Sequence, residues 1–312
     1  MAKKRILVVG SANMDMHMPV VKLPRAGETL MEKGGVSYSP GGKSANSAVA
    51  LAKLGADTVL CTRLGHDSHG ETLYSYYKEL GIDVSYTVID REHQTGFAAI
   101  LVDEETAQNR IMVYPGANDF LCEDDVDNAF LSCPDALYMQ FEIPDSLTLA
   151  AAEYAYRHSI PIFIDAGPAR ADFPLEKLPP VTVFSPNESE TEIYTGIRPL
   201  GADSCLKAAH ELSKRVRAEY IVLKLGDRGA FVFNGTRCKF VPSFHVHAVD
   251  TTAAGDAFTA ALTLKYMETG DINASVYYAN AVAAVTVTRK GASFSIPTAS
   301  EVEDFLSRQE SY

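Results

Sequence analysis

Val249-Asp250-Thr251-Thr252-Ala253-Ala254-Gly255-Asp256-Ala257-Phe258 marks the point where the chain's pattern changes from strand to helix. The run before it, Phe240 to Val246, reads as a strand. The run after it, Ala257 to Met267, reads as a long apolar helix. The residues between are small, which lets a charged ligand approach the backbone closely. Free N–H groups and the partial positive charge of a helix start can hold an anion. An Asp in that first turn, Asp256, can take a proton from a hydroxyl. An anion cradle beside a carboxylate suits phosphoryl transfer to an alcohol. The same turn also reads as ordinary capping, with Asp256 a favourable first-turn acid.

Outward from this turn, strands and helices alternate along the chain. Arg5 to Gly10 is a continuous apolar run and reads as a buried parallel strand. Strands follow at Thr58–Thr62, Ala136–Gln140, Ile160–Ile164, Val181–Phe184, Tyr220–Leu225 and Ala230–Phe233. Helices fall near residues 43–54, 68–80, 146–158, 188–194, 203–216, 255–267, 272–287 and 300–307. Such alternation predicts an α/β fold, with a mostly parallel central sheet and helices on both faces. Two patches break the rhythm, about 13–40 and 95–115. Alternating residues there predict short antiparallel strands, with a turn near Asp103-Glu104-Glu105 in the second. Together they read as one small β-sheet lid on a single 1–312 domain.

The 312 residues carry a formal charge of −12, which argues against a general nucleic-acid binder but leaves room for a locally positive site. No apolar run reaches the roughly 20 residues needed to span a bilayer, and no signal-peptide core follows Arg5. The five cysteines are scattered, without a C-x-x-C pair, as expected of reduced thiols in the cytoplasm.

The remaining motifs lie mostly at strand ends, where open α/β sheets bind ligands. Asn13 and Asp15 follow the first strand and share a face, which suits vicinal hydroxyls, although both residues also favour turns. Gly41-Gly42-Lys43-Ser44-Ala45-Asn46 opens a helix without Walker spacing, and places Lys43 and Asn46 one turn apart. Glu142 lies just past a strand. Asn187-Glu188-Ser189-Glu190 has capping-box spacing, and its oxygens also suit the water shell of Mg²⁺. The turn Leu225-Gly226-Asp227-Arg228-Gly229 can lie along a nucleotide. Gly291, after the helix 272–287, reads as a C-cap whose neighbouring carbonyls can ligate a cation. His66/His69 and His245/His247 lack partners at metal spacing.

The glycine motif at 41–46 and the stretch 249–256 resemble the two signatures of ribokinase-like (PfkB-type) carbohydrate kinases. Asn187-Glu188-Ser189-Glu190 resembles that family's N-x-x-E motif, and the likeness spans the chain in the right order. The resemblance implies ATP-dependent phosphorylation, and within the family it is greatest to members that act on the 5-hydroxyl of D-ribose. It implies Asp256 as base, with the N–H groups of Ala253, Ala254 and Gly255 as anion hole. It places Asn13, Asp15, Gly41, Gly42, Lys43, Asn46, Glu142 and Asp256 on the sugar. Asn187, the turn Lys224-Leu225-Gly226-Asp227-Arg228-Gly229, Gly255 and Asn280 would line the ATP site, and Glu190 would support Mg²⁺ through water. Asp250, Thr252 and Ser295, with the carbonyls of Thr286, Arg289 and Gly291, would surround a K⁺-type ion. The small sheet would serve as lid and homodimer contact. Two residues depart from the family pattern. Ser44 replaces a usual Gly and is expected to cap the helix, and Lys224 replaces a common Thr. Alternatives are a deoxyribokinase, a fructokinase, a nucleoside kinase (for which Met14, Met16 and Met18 would line the base) or a sugar- or nucleotide-sensing protein on the same fold.

Overall fold

The computed structural model describes residues 3–31, 35–103 and 109–309. In chain order its first half comprises β1 (Arg5–Val9), β2 (Asn13–Val20), β3 (Ser37–Gly41), α1 (Lys43–Lys53), β4 (Asp57–Cys61), β5 (Arg63–Gly65), α2 (Ser68–Glu79), β6 (Val88–Asp90), β7 (Gly96–Asp103), β8 (Asn109–Tyr114) and α3 (Glu123–Phe130). There follow β9 (Ala136–Met139), α4 (Asp145–Arg157), β10 (Ile162–Asp165), β11 (Val181–Ser185), α5 (Glu188–Thr195), α6 (Ala202–Arg215) and β12 (Ala218–Lys224). The chain ends with β13 (Ala230–Phe233), β14 (Cys238–Val241), α7 (Ala254–Thr269), α8 (Ile272–Val287) and α9 (Ala299–Gln309).

Among the described residues, eight strands form the central sheet in the order β14-β13-β12-β11-β10-β9-β1-β4. Across the sheet from β4 to β12 the pairs are parallel, and β13 pairs antiparallel with both β12 and β14. The alternation of β1 explains the layering. Ile6 and Val8 pack into one apolar cluster, and Leu7 and Val9 into the other. Both faces of the strand are therefore dry, which is why its sequence is continuously apolar. Helix α7 is buried over a consecutive run from Asp256 to Leu264. A helix buried all round lies inside the protein, and its alanines let α1 and α8 approach. Strand order reverses between β1 and β9. The loops leaving β1, β9, β10, β11 and β12 thus gather at one edge, where this architecture places ligands.

A second sheet, β3-β2-β7-β8, stands apart. The predicted patches supply it, but it is not wholly antiparallel. β2 pairs with β7 in parallel, Asn13 opposite Gly96, because β4 and α2 carry the chain back before β7 begins. Residues 32–34, within the first predicted patch, and Glu104 and Glu105 of the predicted turn lie outside the described residues. The first patch supplies β2 and then β3 at Ser37–Gly41, so Gly41 ends a strand just before α1.

One more expectation is corrected. The predicted strand Phe240–Val246 stops at Val241. Pro242 has no N–H for the ladder, and the carbonyls of Val241 and Pro242 instead accept from Asn280 Nδ2 at 3.1 and 3.0 Å. The turn before α7 is therefore reached by an irregular segment rather than by a strand.

Candidate active site

Ala253 precedes α7 with φ 60°, ψ 3°, in the left-handed region that favours glycine. This bend directs the first turn at the sheet edge. Ala254 N–H is drawn to Thr251 O at 3.3 Å. Among the described hydrogen bonds, the N–H groups of Ala253, Gly255 and Asp256 have no partner, so the anion-hole expectation fits two of its three donors best. Asp256 is 4% exposed. Its Oδ2 accepts from Asn46 Nδ2 at 3.0 Å, and its Oδ1 from Gln140 Nε2 at 3.3 Å and Lys43 Nζ at 3.4 Å. Asp256, which outweighs the effect of burial, holds the Lys43 ammonium well above the usual lysine range.

Lys43 and Asn46, one turn apart on α1, therefore both reach the carboxylate. Asn46 is engaged at both ends, since its Oδ1 accepts from Ser293 Oγ at 2.8 Å. Glu142 lies at the start of α1, where its Oε2 accepts from Lys43 N at 3.1 Å and Ser11 Oγ at 2.5 Å. That leaves Ser44 no cap to make, because Gly42 fills the N-cap position with φ 86°. The Ser44 hydroxyl donates instead to Gln140 Oε1 at 3.0 Å, tying the helix to the amide that touches Asp256.

Asp15 lies against Gly41, where any Cβ would collide with its carboxylate. Burial, then the nearby Glu142 and Asp256, push its carboxyl up to about 7. Asn13 Oδ1 accepts from Asn118 Nδ2 at 2.8 Å, and Asn118 Oδ1 accepts from Ala12 N at 3.0 Å. The expected sugar residues thus gather into one polar cluster beside β2 and β3 of the second sheet. Gln140, Asn118 and Ser293 complete it without having been expected. Gln140 carried a signal, a polar residue directly after an apolar strand. Asn118 sits in a short 3-10 turn, Gly116–Phe120, and Ser293 in a loop, and no local pattern marks either.

On the other side of Asp256 a cavity of about 360 Å³ opens beside α7 and α8. Of the residues the resemblance places at ATP, Lys224, Gly226, Asp227, Gly229, Gly255 and Asn280 line it, with the irregular segment Ser243–Ala248 and Ala283, Ala284 and Val287 of α8. Three expected residues, Asn187, Leu225 and Arg228, are not in its lining. Leu225 is core, 1% exposed. Arg228 turns to Glu188 at 2.5 Å and to the Pro199 carbonyl at 2.7 Å. Asn187 and Glu190 form a capping box on α5. Glu190 N donates to Asn187 Oδ1 at 2.8 Å, and Asn187 N to Glu190 Oε2 at 2.7 Å. Burial raises the Glu190 carboxyl despite nearby Lys224. Lys224 Nζ binds Asp165 Oδ2 at 2.7 Å, and Asp165 Oδ1 is buried with no hydrogen-bond partner among the described residues.

Behind the turn, Asp250 Oδ1 accepts from Thr252 N at 2.9 Å and Thr252 Oγ1 at 2.7 Å, and Oδ2 accepts from Gly291 N at 2.9 Å. Burial raises its carboxyl, but these hydrogen bonds outweigh it and leave the group below its ordinary value. Gly291 (φ 96°) lies past the true cap, Thr288, and closes this loop rather than ending the helix. The hydroxyls of Thr286 and Ser295 turn to Val282 O and Ala292 O at 2.8 Å each, and the Arg289 side chain goes to Glu301. The loop is rich in oxygens, several of them already engaged.

The chain matches the pfkB family carbohydrate kinase profile over residues 3–299. It is 34% identical over 306 residues to the ribokinase of Haemophilus influenzae, covering 97% of this chain and 99% of that one. It is 31% identical to the deoxyribokinase of Salmonella typhi, covering 98% and 99%. Its fold superposes with a TM-score of 0.87 on Arabidopsis thaliana ribokinase complexed with ribose and ATP, at 29% identity and covering 98% and 99% of the two chains. With glycine motif, strained turn and buried carboxylate gathered at one sheet edge, the chain belongs to the pfkB family of carbohydrate kinases.

Proposed function

We propose that this chain transfers the γ-phosphoryl group of ATP to the 5-hydroxyl of D-ribose, giving D-ribose 5-phosphate and ADP. One observation carries the reading. The buried Asp256 carboxylate lies in the first turn of α7, within the polar cluster and next to Gly255, which lines the cavity. A sugar hydroxyl held by the cluster would give its proton to Asp256 while the free N–H groups of that turn hold the transferring phosphoryl oxygens. Asp15, Asn13, Glu142 and Lys43 would position the pentose. Lys224, Gly226, Asp227, Gly229 and Asn280 would take the nucleotide. The named relatives support ribose and ATP, and the deoxyribokinase relative keeps 2-deoxy-D-ribose as the alternative acceptor.

Mg²⁺ suits the corner formed by Glu190 and the orphan Asp165 Oδ1, and when bound it would screen the phosphate charge. K⁺ suits the oxygen-rich loop of Asp250, Gly291 and Thr286, whose packing behind the turn would keep the N–H groups aimed. In this proposal residues 1–312 form one kinase domain, and the four-stranded sheet over about 13–40 and 95–115 acts as lid and homodimer contact. Exposed Tyr38, Ile111, Met112, Val113 and Tyr114 support that contact. Unpaired cysteines, three of them exposed, support a cytoplasmic setting. Among the described residues no helix is long and apolar enough to cross a membrane.

The test is ADP release from ATP with a panel of ribose, 2-deoxyribose, fructose and nucleosides, run on the native chain and on Asp256→Asn. Ribose should be the best acceptor, and the variant should lose roughly 10²–10⁴-fold in kcat. Near-native turnover by the variant would end the assignment of the base.

A further inference from the structure

Lys224 stands at the end of β12, lines the nucleotide cavity, and has a side chain only 10% exposed. A Cβ built on Gly255 would lie 3.5 Å from its Nζ, so the ammonium sits against the first turn of α7. A cation is repelled at the positive end of a helix. Asp165 offsets that repulsion. Its Oδ2 takes Lys224 Nζ at 2.7 Å and also accepts from Thr259 Oγ1, one turn along α7, at 3.0 Å. Asp165 thereby ties the ammonium and the helix into one unit. An ammonium has three donors, and Asp165 is the hydrogen-bond partner described for this one.

We propose, building on the function above, that Lys224 is a catalytic residue that contacts the transferring phosphoryl group, and that Asp165 is its positioning residue. In the transfer, the bond from the γ-phosphorus to the β-bridging oxygen breaks and a bond from the sugar oxygen to that phosphorus forms. The hydroxyl proton passes to Asp256, and ADP leaves with the bonding pair. Negative charge spreads over the γ-oxygens and the leaving oxygen as this happens. A fixed ammonium beside the free N–H groups meets that charge without reorganising. A Lys acts there as a point charge, and the shift of one N–H from cavity to phosphate does not require it to leave Asp165.

The experiment compares Lys224→Met, Asp165→Asn and the double variant with the native chain, using steady-state kinetics and ADP binding with and without aluminium fluoride. Removing one partner leaves a buried lone charge and can unfold the protein, so the double variant, which removes both charges, is the folded reference. The double variant should retain ADP affinity within about 3-fold, lose roughly 10²-fold in kcat, and lose the tightening that aluminium fluoride brings. The double variant should be no slower than Lys224→Met where the latter folds, since residues acting as one unit are not additive. Turnover of the double variant within 3-fold of native, or equal loss of ADP and ADP–aluminium fluoride binding, would overturn the role of Lys224. If Asp165→Asn alone keeps native kcat, its positioning role fails. A native chain that phosphorylates no acceptor would instead refute the proposed function.

Discussion

Asp15 makes a sharp case for linking geometry to pH. Its carboxylate is 7% exposed, faces Glu142 and Asp256, and titrates near 7 rather than at its ordinary 3.8. The folded value lies above the unfolded one. Between them the native state binds more protons, so stability falls as pH rises from about 4 to about 7 and stays reduced above. Raising the carboxyl from 3.8 to about 7 corresponds to ~4 kcal/mol, at about 1.36 kcal/mol for each pKa unit. Asp15→Asn should therefore be more stable than the native chain at pH 8, by roughly 2–4 kcal/mol, and nearly equal to it at pH 4. Urea unfolding at the two pH values measures this. A sugar whose hydroxyls donate to the carboxylate selects the ionised form. The sugar KM should then rise about tenfold for each pH unit below 7, with about one proton released on binding at pH 6. Calorimetry in buffers of different ionisation enthalpy counts that proton. A KM flat from pH 5.5 to 8, with no proton released, would refute the reasoning.

Gly41→Ala would drive a methyl into the Asp15 carboxylate. Sugar KM should rise roughly 10²-fold, about 3 kcal/mol, while KM for ATP stays within 2-fold, as read from two-substrate kinetics. Asp250→Asn should abolish the advantage of K⁺ over Na⁺ salts in the rate assay, because it removes the charge at the centre of the Gly291 loop. An unchanged K⁺ preference would move the ion elsewhere.

Much of the site was readable from residues alone because its elements are local. The Asn187–Glu190 capping box, the glycine turn before α1 and the carboxylate in the first turn of α7 depend on spacings within a few residues. Asn118, Asp165 and Ser293 were not readable, and Gln140 showed only as a polar residue after an apolar strand. Each acts through a partner 59 to 247 residues away, with Lys224 for Asp165 and Asn46 for Ser293 at the extremes. Ser44 shows the limit from the other side. Its local pattern predicts a cap, but Glu142 already serves the helix start and a buried amide captures the hydroxyl.

By itself the sequence determined the α/β alternation, the two excursions that build the second sheet, and the helix start within Val249 to Phe258 that carries Asp256 in its first turn. Period and capping are local properties, so a linear string carries them. Only the tertiary structure decided that β2 and β7 run parallel, that the segment after Val241 leaves the sheet to line a cavity, and that Lys43, Asn46 and Gln140 converge on Asp256. Such choices depend on which surfaces meet across the closed fold, and there burial and charge act between residues that the sequence keeps far apart.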